Sequence, residues 1–280
     1  PLWDAGHIPG LDGAGTIAAL GEGVRLPVGQ RVVYHQSLGQ QGSFAGFTTA
    51  DARTVMPIPH GVDDVSAASL LCPGLTAWQA LRKLPDRAGL DVLVTGAGGA
   101  VGSILSQLAI AEGCRVYATA STSHRDALLS WGVCDVFDYR DPNWRERLAA
   151  SLGPRPLDAV IDTISGDHAR SLAALIGLNG HLVCIQDRVE KHPLAPFTIA
   201  VSLHEVALNS IHPHGAEKHW RAWRASGAVL LERVARGQLR LPATETCAFE
   251  AIPNALSQLK RGDQKVKFVA TMPFAHSGDA

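Results

Sequence analysis

The sequence has no pair of cysteines spaced as CxxC, no block rich in lysine and arginine, and no apolar run of the roughly 18 to 20 residues that a bilayer demands. Each absence excludes a class of protein. Without clustered positive charge, and with a formal net charge of -1, the chain lacks the electrostatic surface that phosphate backbones require, so nucleic acid is not an expected partner. Without long apolar runs no membrane helix is expected, and no secretory leader is expected ahead of Pro1. The five cysteines (Cys72, Cys114, Cys134, Cys184 and Cys247) are scattered, and three sit in apolar, strand-like surroundings where thiols pack as small hydrophobes. That pattern suits a reducing cytoplasm. Internal repeats and low-complexity segments are also missing. With 280 residues, 46% of them hydrophobic and 18% charged, the chain can bury one or two ordinary cores.

The organisation changes near residue 76. Before it, "GAGTIAALGEG", "QRVVYHQ" and "GSFAGFTTADARTVMPIP" are short β-branched runs broken by glycine and proline, which predicts small irregular strands. From Val92 onward, apolar strands (92–94, 115–119, 135–137, 159–161, 181–185 and 206–211) alternate with helical patterns. This predicts an α/β fold with a doubly wound parallel sheet covered on both faces. Val101, Ile104, Leu105 and Leu108 fall on one face of a helix over 101–113.

Between the first of those strands and that helix stands "TGAGGAVGS". Gly96 is expected to make the turn, Gly99 to let the backbone approach a diphosphate, and Gly102 to let helix and strand pack closely. The helix start then offers its amides to the anion. The spacing is GxxGxxG, because Ala97 occupies the first position of a strict GxGxxG. A plain glycine turn is the bland alternative. About 20 residues on, where an NAD site carries a carboxylate for the ribose, stands Ser121. Ser121, Ser123, His124 and Arg125 can instead donate hydrogen bonds or charge to a 2′-phosphate, which favours NADPH. Arg125 could equally be a solvated residue of a first helical turn.

The motifs "IPGLDGAGTIAALGEGV", "VGQRVVY", "GSFAGFTTA", "LLCPGLTAWQAL", "VLVTGAGGAVGS", "VIDTISGD" and "GHLVCI", in this order from about Ile8 to Met272, resemble the medium-chain dehydrogenase/reductases, specifically their zinc-free quinone oxidoreductase branch. The resemblance implies a GroES-like β-rich catalytic domain over 1–77 and 243–280, with its N-terminal part incomplete. The same resemblance implies a Rossmann domain over 78–242, with the active site expected in the cleft between the two. It further implies that Tyr139 stacks near the 2′-phosphate and Thr76 lies against the nicotinamide, with Gly98, Ala100, Val101 and Ile185 also lining the cofactor. Tyr139 could instead cap a sheet end and Thr76 could be a helix N-cap. A homodimer joined through the 206–211 strand is expected by the same resemblance.

Zinc divides this family. Its zinc alcohol dehydrogenases carry a histidine where this chain has Leu11, beside Asp12, and a second ligand where it has Cys72. One thiolate does not make a catalytic site that needs three protein ligands, so no metal is expected. His204, His212, His214 and His219 form a weaker candidate, with His212 and His214 projecting to one side of an extended segment or bordering the nicotinamide. The expected chemistry is hydride transfer from NADPH to a quinone or an α,β-unsaturated carbonyl, electrophilic enough to need no metal. Tyr34 and His35, at the end of "RVVYH", are the candidate catalytic residues on the substrate side. A zinc alcohol dehydrogenase and a catalytically silent NADPH-binding protein are the alternatives.

Overall fold

The computed structural model describes residues 4–262 and 266–272; residues 1–3, 263–265 and 273–280 of the expected catalytic domain lie outside the described residues. The chain opens with strands β1 (Asp12–Thr16), β2 (Arg31–His35) and β3 (Val55–Pro57), then helix α1 (Asp64–Leu81). There follow β4 (Asp91–Val94), α2 (Ala100–Ala111), β5 (Arg115–Ala120), α3 (Arg125–Ser130), β6 (Asp135–Asp138), α4 (Trp144–Leu152), β7 (Leu157–Asp162), α5 (Asp167–Leu172), β8 (Ile176–Cys184) and β9 (Ser202–Glu205). The last elements are α6 (Ile211–His214), α7 (Glu217–Ala235), β10 (Thr244–Ala248), α8 (Ile252–Arg261) and β11 (Lys267–Thr271). Contacts gather the chain into two units, Pro1–Cys72 with His212–Ala280, and Pro73–Ile211. The division falls inside α1, beside Pro73, whose ring removes one helical hydrogen bond.

The second unit is a six-stranded parallel sheet in the order β6-β5-β4-β7-β8-β9. Its central strands are buried on both faces, as a sheet sandwiched by helices requires; Val92, Leu93 and Val94 are fully buried. On one face, alternate residues Leu93, Tyr117, Phe137, Val160 and Leu182 pack with Trp144, Leu148 and Leu152, which recur every fourth residue along α4. Helix α2 lies against β4 and β5 and buries Ile104, Leu105 and Leu108, as its apolar spacing predicts.

The edge strand departs from expectation. Pairing with β8 runs from His181↔Ser202 to Cys184↔Glu205, so the strand is 202–205 and not 206–211. Val206 makes one last bond, its amide to the Cys184 carbonyl at 2.9 Å, and the chain then turns through Leu208–Ser210 into α6. The apolar Val206 and Leu208 mimic a strand pattern over what is a helical approach.

The first unit holds the antiparallel sheet β1-β2-β3, in which Asp12 pairs with His35 and Gly13 with Tyr34. Strands β10 and β11 pair in parallel. Helix α7 buries Trp220, Trp223, Leu230 and Leu231, and Gly227 gives room to the Met56 side chain of β3.

Candidate functional site

The turn after β4 is fixed by its glycines and by β5. Gly96 adopts φ +60°, the left-handed region glycine tolerates, and a Cβ there would collide with Thr163. The Ala97 amide donates to the Thr119 carbonyl (2.9 Å) and the Gly96 amide reaches Thr119 Oγ1 (3.3 Å), stitching the turn to the end of β5. A Cβ on Gly102 would lie 2.5 Å from the Gly96 carbonyl oxygen and 2.7 Å from Ala97 Cα, so α2 rests directly on the backbone of the turn. Gly99 caps the helix without a side chain. The first intrahelical-type bond runs from Ser103 N to Gly99 O, and helix geometry leaves the amides of Ala100, Val101 and Gly102 with no acceptor inside the helix. Three outward amides on a turn that only glycines allow to close this tightly form a cradle that fits a diphosphate.

The carboxyl ends of β4, β7 and β8 are tied together beneath that cradle by Asp162, which is fully buried. Its carboxylate accepts hydrogen bonds from Thr95 Oγ1 and from the Ser165 amide (2.5 Å), and His168 Nδ1 lies 2.8 Å away. Ser165, at φ +67°, turns its Oγ to accept from the amides of Ile185 and Gln186, both at 3.1 Å. Thr163 Oγ1 donates to the Thr95 carbonyl (3.0 Å). Thr95, Asp162, Thr163, Ser165 and His168 escaped the sequence reading. The "VIDTISGD" stretch marked where they sit but not that one carboxylate would organise three strand ends.

At the end of β5, Ser121 Oγ lies 2.9 Å from Ser123 Oγ and 3.0 Å from His124 Nδ1. The His124 ring stands where a Cβ on Gly98 would meet it at 2.7 Å, so this polar cluster adjoins the glycine turn. Arg125 points elsewhere: its guanidinium donates to the Val136 carbonyl and to Asp135 (3.1 Å) on β6. Tyr139, half exposed at the end of β6, carries the Arg140 guanidinium 5.2 Å from its ring centre. Thr76 is buried inside α1 and does not cap it, because the helix begins twelve residues earlier at Asp64.

Tyr34 and His35 belong to the first unit. Burial, with Asp12 adding to it, pushes the Tyr34 phenol up to about 12, so it stays protonated. His35 is 1% exposed, and its Nδ1 lies 2.9 Å from Asp12 Oδ1. Cys72 completes a group in which one oxygen, one nitrogen and one sulfur donor all lie within 4.8 Å of one another.

The histidine cluster does not form as expected. His212 and His214 lie on a single helical turn, where residues two apart diverge, and not on an extended segment. His204 belongs to the second unit and meets His181 at 3.0 Å. His219 Nδ1 accepts from the Ala216 amide (3.0 Å) at the start of α7. His212 stacks edge-on against Trp220, and burial lowers its pKa.

A parallel sheet in this order, with a glycine turn and uncapped helix after its first strand, defines a Rossmann-type dinucleotide fold. Family models bear this out and extend it: "Alcohol dehydrogenase GroES-like domain" matches residues 1–60 and "Zinc-binding dehydrogenase" matches residues 100–218. The chain belongs to the medium-chain dehydrogenase/reductase superfamily, beside its quinone oxidoreductase-like members. It is 34% identical over 182 residues to a mycocerosic acid synthase-like polyketide synthase of Mycobacterium tuberculosis, covering 64% of this chain and 8% of that protein. It is 30% identical over 209 residues to the quinone oxidoreductase of Rattus norvegicus, covering 73% of this chain and 63% of that one. The crystal structure of CurK enoyl reductase shares the fold, with a TM-score of 0.82 and 24% identity over 95% of this chain and 80% of that one. The chain thus spans less than two thirds of the curated relatives it matches.

Proposed function

We propose that this chain is an NADPH-dependent oxidoreductase that reduces a quinone or an α,β-unsaturated carbonyl without requiring zinc for the hydride step. The observation that carries this reading is the junction of the glycine cradle with the Ser121, Ser123 and His124 cluster. It joins a site for a diphosphate to donors for a further phosphate, in a stretch where no carboxylate repels one. Likeness to quinone oxidoreductases supports the acceptor class.

When bound, the nicotinamide supplies hydride to the acceptor. The chain's own residues do the rest. Backbone amides of Ala100, Val101 and Gly102 bind the diphosphate, and the Asp162 hub keeps Thr95, Ser165 and Ile185 from shifting under it. Tyr139 and Arg140 flank the phosphate end, while Arg125 orders β6 rather than meeting the ligand. Tyr34, held protonated, donates a hydrogen bond to the acceptor oxygen, and water supplies the proton. A homodimer paired along the β9 edge and a cytoplasmic setting complete the reading.

Turnover is the test. Purified protein should consume NADPH, followed by its near-ultraviolet absorbance, with some members of a panel of quinones and enones, and should leave simple alcohols untouched. NADPH binding without turnover on any panel member would move the assignment to a silent binding protein.

A further inference from the structure

We propose that Asp12, His35 and Cys72 form a three-ligand site for a borderline-soft divalent cation, with zinc the best match. The ligand set implied by resemblance is broken at Leu11, and the region matched by the zinc-binding dehydrogenase model, 100–218, includes none of these three residues. The proposal rests on what the fold assembles instead. Antiparallel pairing of β1 with β2 places Asp12 opposite His35, and Cys72, on the same first unit, brings its sulfur to the pair. An imidazole from β2 therefore stands in for the imidazole that Leu11 cannot supply.

Donor chemistry selects the ion. One thiolate, one imidazole and one carboxylate suit zinc, whereas magnesium and calcium prefer an all-oxygen shell. Donors already within 4.8 Å of one another have to draw together, and the Asp12–His35 hydrogen bond has to give way, to meet bonds of about 2.0–2.3 Å around one centre. Three protein ligands leave a fourth position for water or a small anion.

Burial makes the same case. His35 is 1% exposed and the Asp12 side chain 15%. The imidazole ring is flanked by Trp223 and His212, with centroids 6.4 and 6.2 Å away, so water has little access to it. Lys267 Nζ, 3.7 Å from Asp12 Oδ2 and donating to the Ser69 carbonyl at 3.0 Å, holds the carboxylate beside the imidazole.

The protein should first be stripped with a chelator, loaded with zinc chloride, desalted and analysed by mass spectrometry for metal. About one zinc per chain is expected, with at least tenfold weaker retention in Cys72→Ser and His35→Gln, while Cys247→Ser keeps it. Cobalt loading should give a thiolate-to-cobalt absorption band that Cys72→Ser abolishes. In unaltered protein, zinc should shield Cys72 from alkylation while the exposed Cys134 still reacts. A chain that retains no zinc, zinc retained equally by the ligand variants, or Cys72 labelled equally with and without zinc would each overturn the site. Turnover of an enone by the stripped protein reports separately on the proposed function.

Discussion

The glycine turn of the second unit and the Asp12–His35–Cys72 group of the first are made in opposite ways. The turn is written into one continuous stretch, and its parts are backbone amides and the spaces that glycines leave. The group is made of side chains drawn from two strands and a helix, and each of its members looks ordinary in its own neighbourhood. A site of main chain is local in sequence; a site of side chains exists only after the sheet has chosen its register.

Replacing a glycine in each unit tests that contrast most severely. Gly102→Ala drives a Cβ into the Gly96 carbonyl and Ala97 Cα, backbone atoms that cannot step aside. It should cost about 1–3 kcal/mol in stability and weaken NADPH at least about tenfold, some 1.4 kcal/mol, as read by urea unfolding and fluorescence titration. Gly227→Ala crowds the flexible Met56 side chain and meets Leu71 only at ordinary contact distance, and the helix propensity gained offsets the crowding, so its stability should stay within about 1 kcal/mol. Equal losses for the two would erase the distinction.

A smaller change sharpens the reading of the β5 end. Ser121→Asp places a carboxylate in the cluster that adjoins the turn and should weaken NADPH about tenfold while sparing NADH. Retained preference for NADPH in a titration of both forms would place the phosphate elsewhere.

The smallest effect concerns acid. In the second unit, hydrogen bonds from Arg115 (2.8 and 2.6 Å) hold the buried Asp91 carboxyl below its usual range, with Arg155 assisting; in the first, Arg53 does the same for the more exposed Asp51. A depressed carboxyl stabilises the fold above its unfolded value of about 3.9, and that contribution disappears as pH falls through the folded value. Both Arg115 and Arg155 are nearly half exposed, so screening limits the Asp91 contribution to about 1 kcal/mol, and the surface pair of Asp51 to about 0.5 kcal/mol. Asp91→Asn should therefore lower the urea midpoint at pH 7 more than Asp51→Asn does, with both differences shrinking by pH 3.

Much of the second unit was legible because buried parallel strands and an amphipathic helix leave strong periodic signals, and because Gly96 and Gly102 sit where only glycine fits. The edge was misread because Val206 and Leu208 are apolar for reasons of a turn and not of a ladder. The role of Arg125 hung on whether its guanidinium would find Asp135 first, a contact no spacing announces. Asp162 was hidden because its carboxylate meets Thr95, 67 residues away, only once the sheet has paired β4 with β7. An extended segment would pair His212 and His214 as arms on one side; the helical turn that forms instead sends them apart.

The opposition of Asp12 and His35 has one more result. Side chains alternate between the faces of a strand, so sliding β1 past β2 by a single residue would set Gly13 against His35 and turn the carboxylate to the far face. Cation affinity at this spot is therefore also a gauge of strand alignment: a chain misthreaded by one position in this small sheet would keep its hydrogen-bond ladder and lose its hold on the ion.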